Sequence, residues 1–186
     1  MMNTPNKITV FRIFLAPVFL AIFLLDIPHR FLIAALIFAV GSATDAIDGH
    51  LARKNNIVTT FGKFLDPIAD KTLVLAGLLS FMTENLCNVW IAFAIVVREF
   101  VISSLRLIAS AQGVVIPANI FGKIKTVVQM VSFIVIMIVC EINEISALPF
   151  SVSVFSNILL GISAVLGIIS AVIYYIQSKS VIDFTK

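Results

Sequence analysis

The stretch FLIAALIFAVGSATDAIDGHLAR, residues 31–53, starts as an apolar run and ends with two aspartates, Asp45 and Asp48. GKFLDPIADK, residues 62–71, reverses that order, with Asp66 and Asp70 standing ahead of the apolar residues that continue to Phe81. The combined spacing is Asp-x-x-Asp-Gly-x-x-Ala-Arg-x8-Gly-x3-Asp-x3-Asp. Carboxylates in an apolar setting are costly unless they pair, face water or hold cations. The four acids therefore predict a polar, metal-binding cavity set into apolar helices.

The rest of the chain supplies the frame. Its 186 residues are 60% hydrophobic and 12% charged, with mean hydropathy +1.11, well outside soluble averages. A helix needs about 20 apolar residues to cross a bilayer. The chain divides into six such stretches, near 8–25, 31–53, 61–83, 86–111, 118–140 and 147–178. The expected fold is an all-α integral membrane protein of six transmembrane helices, one domain over 1–186, with the metal-binding cavity at the cytoplasmic side. Lys7 and Arg12 before the run Ile13–Leu25 imitate a signal peptide, but Asp26-Ile27-Pro28-His29-Arg30 reads as a turn into a second helix, so the run counts as the first span. Cys87 and Cys140 lack ligand spacing and read as apolar fillers, with no disulfide expected.

Charge orients the bundle, because short cytoplasmic segments are enriched in Lys and Arg. With both termini inside, every Lys and Arg except Arg30 falls on the inner side, while Asp26, Glu84, Glu141 and Glu144 mark the outer turns. The middle apolar runs, Phe31–Thr44 and Leu86–Val97, each cover roughly half a bilayer. Their polar continuations carry the aspartates, Arg98, Glu99, Arg106, Lys123 and Lys125, all on the inner side. Snorkelling accounts for Lys54, Lys179 and Lys186, but not for aspartates, which are too short.

Asp45 and Asp48 are three apart, and Asp66 and Asp70 four apart, so each pair shares a helix face. A short connection over 54–60 turns the two pairs toward one another. Four hard oxygen ligands suit Mg or Mn, with charge enough for two ions, an arrangement that fits phosphoryl transfer. Gly49, Gly62 and Ala52 keep the helix surface small, Arg53 offers a forked donor to phosphate or carboxylate, and Pro67 frees a backbone carbonyl into a polar cavity. Arg98, Arg106, Lys123 and Lys125 form a candidate pocket for an anionic phosphate, with Glu99 orienting a neighbouring arginine. Topology-setting residues or anionic-lipid contacts are the alternative for these cations.

The segment Asp45–Arg53 with Gly62, Asp66 and Asp70 resembles the CDP-alcohol phosphotransferase signature at every defined position. That family transfers a substituted phosphate from a CDP-linked donor to an alcohol, releasing CMP, with divalent metal. Further resemblance lies in Pro5-Asn6-x-x-Thr9-x-x-Arg12-x4-Pro17, in Phe64–Lys71, in Arg98-Glu99-Phe100-x5-Arg106 and in Gly122-Lys123-x-Lys125-Thr126-x-x-Gln129. These point to the bacterial branch that joins CDP-diacylglycerol to sn-glycerol 3-phosphate. The resemblance implies that Asp45, Asp48, Asp66 and Asp70 hold two Mg or Mn ions and that Asp70 takes the acceptor proton. It further implies that Asp48, Gly49, Ala52, Arg53 and Gly62 hold the CDP or CMP moiety, and that the protein is a homodimer in the bacterial inner membrane. No nucleic-acid partner is expected.

Two rival readings remain. One keeps the family and changes the acceptor to inositol phosphate, serine or phosphatidylglycerol. The other makes the acids a transit site in a divalent-cation transporter. Ser163, Gly167 and Ala171 form a small-residue stripe suited either to dimer contact or to internal packing.

Overall fold

The computed structural model describes the backbone of residues 4–55, 60–112 and 120–179, and the side chains within them except those of 4–8, 45–55, 60–67, Asp70 and Ala111. Six α-helices account for the described elements: α1 Thr4–Leu24, α2 Arg30–Asn55, α3 Thr60–Thr83, α4 Val89–Ala111, α5 Ile120–Ile145 and α6 Val152–Lys179. α5 and α6 are long and apolar enough to cross a membrane. The apolar segments Thr9–Leu24, Arg30–Thr44 and Lys71–Thr83 are shorter.

Contacts group the chain into two compact units. The first comprises 1–86 with 133–152, and the second 87–132 with 153–186. In the first unit α1 packs on α2 and α3. Its centre is a closed circuit of buried phenylalanines: Phe19 meets Phe23 and Phe38, Phe38 meets Phe133, Phe133 meets Phe81, and Phe81 returns to Phe23, with centroid distances of 5.0–5.9 Å. Tilted and edge-on pairs at these distances are the favoured geometry of aromatic quadrupoles. The circuit ties α1, α2, α3 and the second half of α5 together.

Gly77 makes the circuit possible. A Cβ there would lie 2.5 Å from Cε2 of Phe133, a ring already enclosed by Phe38 and Phe81. Gly77→Ala is therefore expected to destabilise the protein by about 1–3 kcal/mol, the usual range for overpacking. A lowered thermal midpoint in detergent checks this; an unchanged midpoint would show that Phe133 has room to move.

At one end of this unit, charge clamps the helices. Arg30 pairs with Glu84 at 2.9 Å and with Glu144 at 3.4 Å, and its guanidinium lies 4.4 Å from the Phe31 ring centroid. Nδ1 of His29 is 2.5 Å from Oε1 of Glu141, whose other oxygen accepts the Leu32 amide at 3.2 Å. Glu84 and Glu144 thus meet Arg30, and Glu141 meets His29, at this one end of the unit. Glu141 differs from expectation in sitting inside a helix: buried and bonded, it lets α5 continue to Ile145 instead of ending near 140. The sixth helix correspondingly starts at Val152, not near 147, after a bend in which Asn143 accepts the Leu148 amide.

α3 ends at a left-handed residue, Asn85, with φ 56°. The Leu86 amide bonds Phe81 O at 2.7 Å and the Asn85 amide bonds Met82 O at 3.2 Å, the paired bonds of a Schellman cap. Asn88 then caps α4 by accepting the Trp90 amide, which moves the start of that helix from the expected 86 to Val89. Cys87, between the two helices, is buried, and burial pushes its thiol up to about 11. Both cysteines are free, as expected. Alkylation of Cys87 in folded protein should stay slow at pH 8 and accelerate only as pH approaches 11, when thiolate forms. A labelling rate that rose near pH 9 would contradict this.

Candidate active site

In the second unit α4 and α6 run parallel. Asn88 donates to Oδ1 of Asn157 at 2.7 Å, Ile91 lies beside Gly161, Arg98 donates to Gly167 O at 3.4 Å, and the Arg106 guanidinium lies 5.6 Å from the Tyr174 ring centroid. The buried face of α6, including Ser156, Leu160, Ser163, Gly167, Ser170 and Tyr174, follows a helical stripe. Ser163 and Gly167, read as a possible dimer seam, are thus buried within the protein, and Ala171 packs against Ile102, Leu105 and Tyr174.

The charged centre of this unit is a triad of helix side chains. Lys125 on α5 and Arg98 on α4 both bond the Glu99 carboxylate, Arg98 at 3.2 Å. Arg98 also donates to Oγ of Ser170 at 3.0 Å, so its planar fork has three separate acceptors. The Lys125 side chain is 2% exposed. A buried ammonium survives only when paired, and Glu99 supplies the pair. Two cations share one anion, so the three side chains together carry a net positive charge. That arrangement is suited to a phosphate or carboxylate.

Arg98 and Lys125, both expected in the anion pocket, are therefore brought together. Glu99, expected to orient a neighbouring arginine, pairs with Lys125 as well as with Arg98. Lys123 is exposed, because a two-residue offset turns it away from the face carrying Lys125. Arg106 stays on the α6 side of α4, two turns from Arg98. Asp45, Asp48, Gly49, Ala52 and Arg53 fall in α2, and Gly62, Asp66 and Asp70 in α3, but their side chains lie outside the described residues. Among the described side chains, no cluster of His, Cys, Asp and Glu is arranged to hold a metal.

Several buried polar residues received no individual role from the sequence. Thr9 and Arg12 are each 2% exposed on α1, although Arg12 had counted only toward topology and the amino-terminal motif. Gln129 is 1% exposed on α5, and neither its amide nitrogen nor its amide oxygen has a protein partner. Its four-residue spacing from Lys125 was the available signal.

Residues 2–176 match the CDP-alcohol phosphatidyltransferase family. The chain belongs to this family. It is similar to several curated CDP-diacylglycerol–glycerol-3-phosphate 3-phosphatidyltransferases. That of Bacillus subtilis is 39% identical over 87% of this chain and 92% of the relative. That of Rickettsia bellii is 35% identical over 95% and 96%. That of Escherichia coli K12 is 40% identical over 70% and 74%. In this CDP-alcohol phosphatidyltransferase the family match covers the helices carrying the four aspartates as well as those carrying Arg98, Glu99 and Lys125.

Proposed function

We propose that the protein transfers the phosphatidyl group of CDP-diacylglycerol to sn-glycerol 3-phosphate, giving phosphatidylglycerophosphate and CMP. The observation that carries this reading is near-full-length similarity to relatives bearing that activity in their names. The Lys125–Glu99–Arg98 triad supports the acceptor: an anionic phosphate can share or replace the carboxylate between the two cations, whereas a neutral acceptor cannot. Arg98 and Lys125 would hold the phosphate directly. Arg106 and Lys123, with Glu99 offsetting one of the central charges, would supply the further positive charge that a dianion needs.

The donor set of Asp45, Asp48, Asp66 and Asp70 fits two divalent cations, Mg or Mn, since all four are hard oxygen ligands. Three contacts support their convergence. Arg30 meets Glu84, Phe38 approaches Gly77, and Gly41 lies against Leu73, so α2 and α3 run antiparallel in constant register. Carried toward their connection, that register would level Asp48 with Asp66 and Asp45 with Asp70. Ions bound there would neutralise the donor pyrophosphate and stabilise departing CMP. Asp48, Gly49, Ala52, Arg53 and Gly62 would accommodate the CDP moiety. Asp70 would accept the proton of the attacking hydroxyl as the bond to phosphorus forms.

The lipid donor and the exposed apolar side chains of the helices, among them Leu36, Phe93, Leu107 and Val165, support six membrane-spanning helices. The basic residues favour a bacterial inner-membrane location with termini and site cytoplasmic. The family match across both units supports a single domain over 1–186. We read the protein as a homodimer, the commonest closed assembly; burial of Ser163 and Gly167 argues for an interface elsewhere.

The test is CMP release by purified protein with CDP-diacylglycerol and Mg, comparing glycerol 3-phosphate, inositol phosphate, serine, phosphatidylglycerol and no acceptor. Release dependent on glycerol 3-phosphate supports the proposal. A preference for another acceptor would retain the family chemistry but reject the acceptor assignment. No release from folded protein would favour cation transport.

A further inference from the structure

Gln129 presents a problem that the phosphate pocket does not solve. It is 1% exposed, yet both polar atoms of its amide are buried without a protein partner. An unmet buried amide is costly, and replacement by an apolar side chain of similar size would relieve that cost. Its position suggests why it is nevertheless present. Gln129 lies four residues beyond Lys125 on α5, so the two share one face and are about 6 Å apart along the axis. Helical side chains lean toward the N-terminus, which carries the Gln129 amide back over the turn holding Lys125.

A ligand anchored by its phosphate at Lys125 and Arg98 would therefore extend past Gln129. The amide has one kind of atom that donates and one that accepts, while a hydroxyl can do both. Glycerol 3-phosphate carries two hydroxyls: the terminal one attacks, and the middle one takes no part in bond making. We infer that Gln129 is a specificity-determining contact for the middle hydroxyl of the acceptor. This rests on the proposed glycerol 3-phosphate activity and deepens it: Arg98 and Lys125 would select phosphate, and Gln129 would select the polyol attached to it.

The test compares glycerol 3-phosphate with 3-hydroxypropyl phosphate, which retains the phosphate and terminal hydroxyl but lacks the middle one. Wild-type protein should prefer glycerol 3-phosphate by about 10- to 100-fold in kcat/KM, the range that corresponds to leaving one buried polar group unmet. Gln129→Leu should reduce that preference to within about threefold, mainly through poorer use of glycerol 3-phosphate, with thermal stability unchanged or raised. Gln129→Met should do the same, providing a second apolar replacement. An unchanged preference in either folded variant would overturn the assignment, as would equal loss with both acceptors. If wild-type protein releases no CMP with glycerol 3-phosphate, the proposed activity falls and the subsite falls with it. Activity with an unaltered preference in the variants would reject Gln129 alone.

Discussion

Asp70→Asn is expected to lower CMP release by about 10³-fold or more while leaving the helical fold intact. The substitution preserves size but removes the proton acceptor and a metal-binding charge, and general-base catalysis alone contributes about 10²–10⁴-fold. Asp45→Asn, Asp48→Asn and Asp66→Asn should also impair activity, but raising Mg or Mn should recover part of that loss if their main contribution is ion affinity. Asp70→Asn should not recover, because added metal does not replace a base. Initial rates across a metal titration separate the two roles. Full recovery of Asp70→Asn at high metal would remove its assignment as proton acceptor, and wild-type rates without recovery treatment would remove it from the site altogether.

Lys125→Met should raise the KM for glycerol 3-phosphate by about 10- to 100-fold, consistent with loss of a charge-assisted hydrogen bond. Glu99 would retain Arg98 as its partner, so the fold should persist. Glu99→Gln should behave differently. It would leave Lys125 and Arg98 together in a buried setting without their common anion, for which about 3–5 kcal/mol of destabilisation is expected. Thermal melting of both variants, alongside acceptor titration of Lys125→Met, separates structural pairing from acceptor binding. If Lys125→Met leaves KM unchanged, its ammonium serves the fold alone. If Glu99→Gln is as stable as wild type, the carboxylate is not the pair's necessary counterion.

The apolar runs made six helices legible from sequence and located most boundaries within a few residues. The largest misses came at the turn between α5 and α6. Glu141 looked like a turn residue because an isolated carboxylate ends a hydropathic run. In the folded chain His29 and the Leu32 amide satisfy it, so α5 continues through that position. Local sequence also could not reveal the Phe19–Phe23–Phe38–Phe81–Phe133 circuit, whose members come from four helices.

The candidate site divides along the same physical line. Asp45, Asp48, Asp66 and Asp70 could be recognised because their spacing is local and their charge conflicts with the surrounding apolar sequence. Family membership likewise follows from the order of residues, as does the phosphatidyl-transfer chemistry proposed from it. Sequence could nominate Arg98, Arg106, Lys123 and Lys125, but charge alone could not distinguish paired from exposed cations. Tertiary packing decided that Lys125 shares Glu99 with Arg98, that Lys123 is exposed, and that Gln129 is buried. Those distinctions depend on contacts among separate helices, where desolvation and hydrogen bonding give residues of similar type different physical roles.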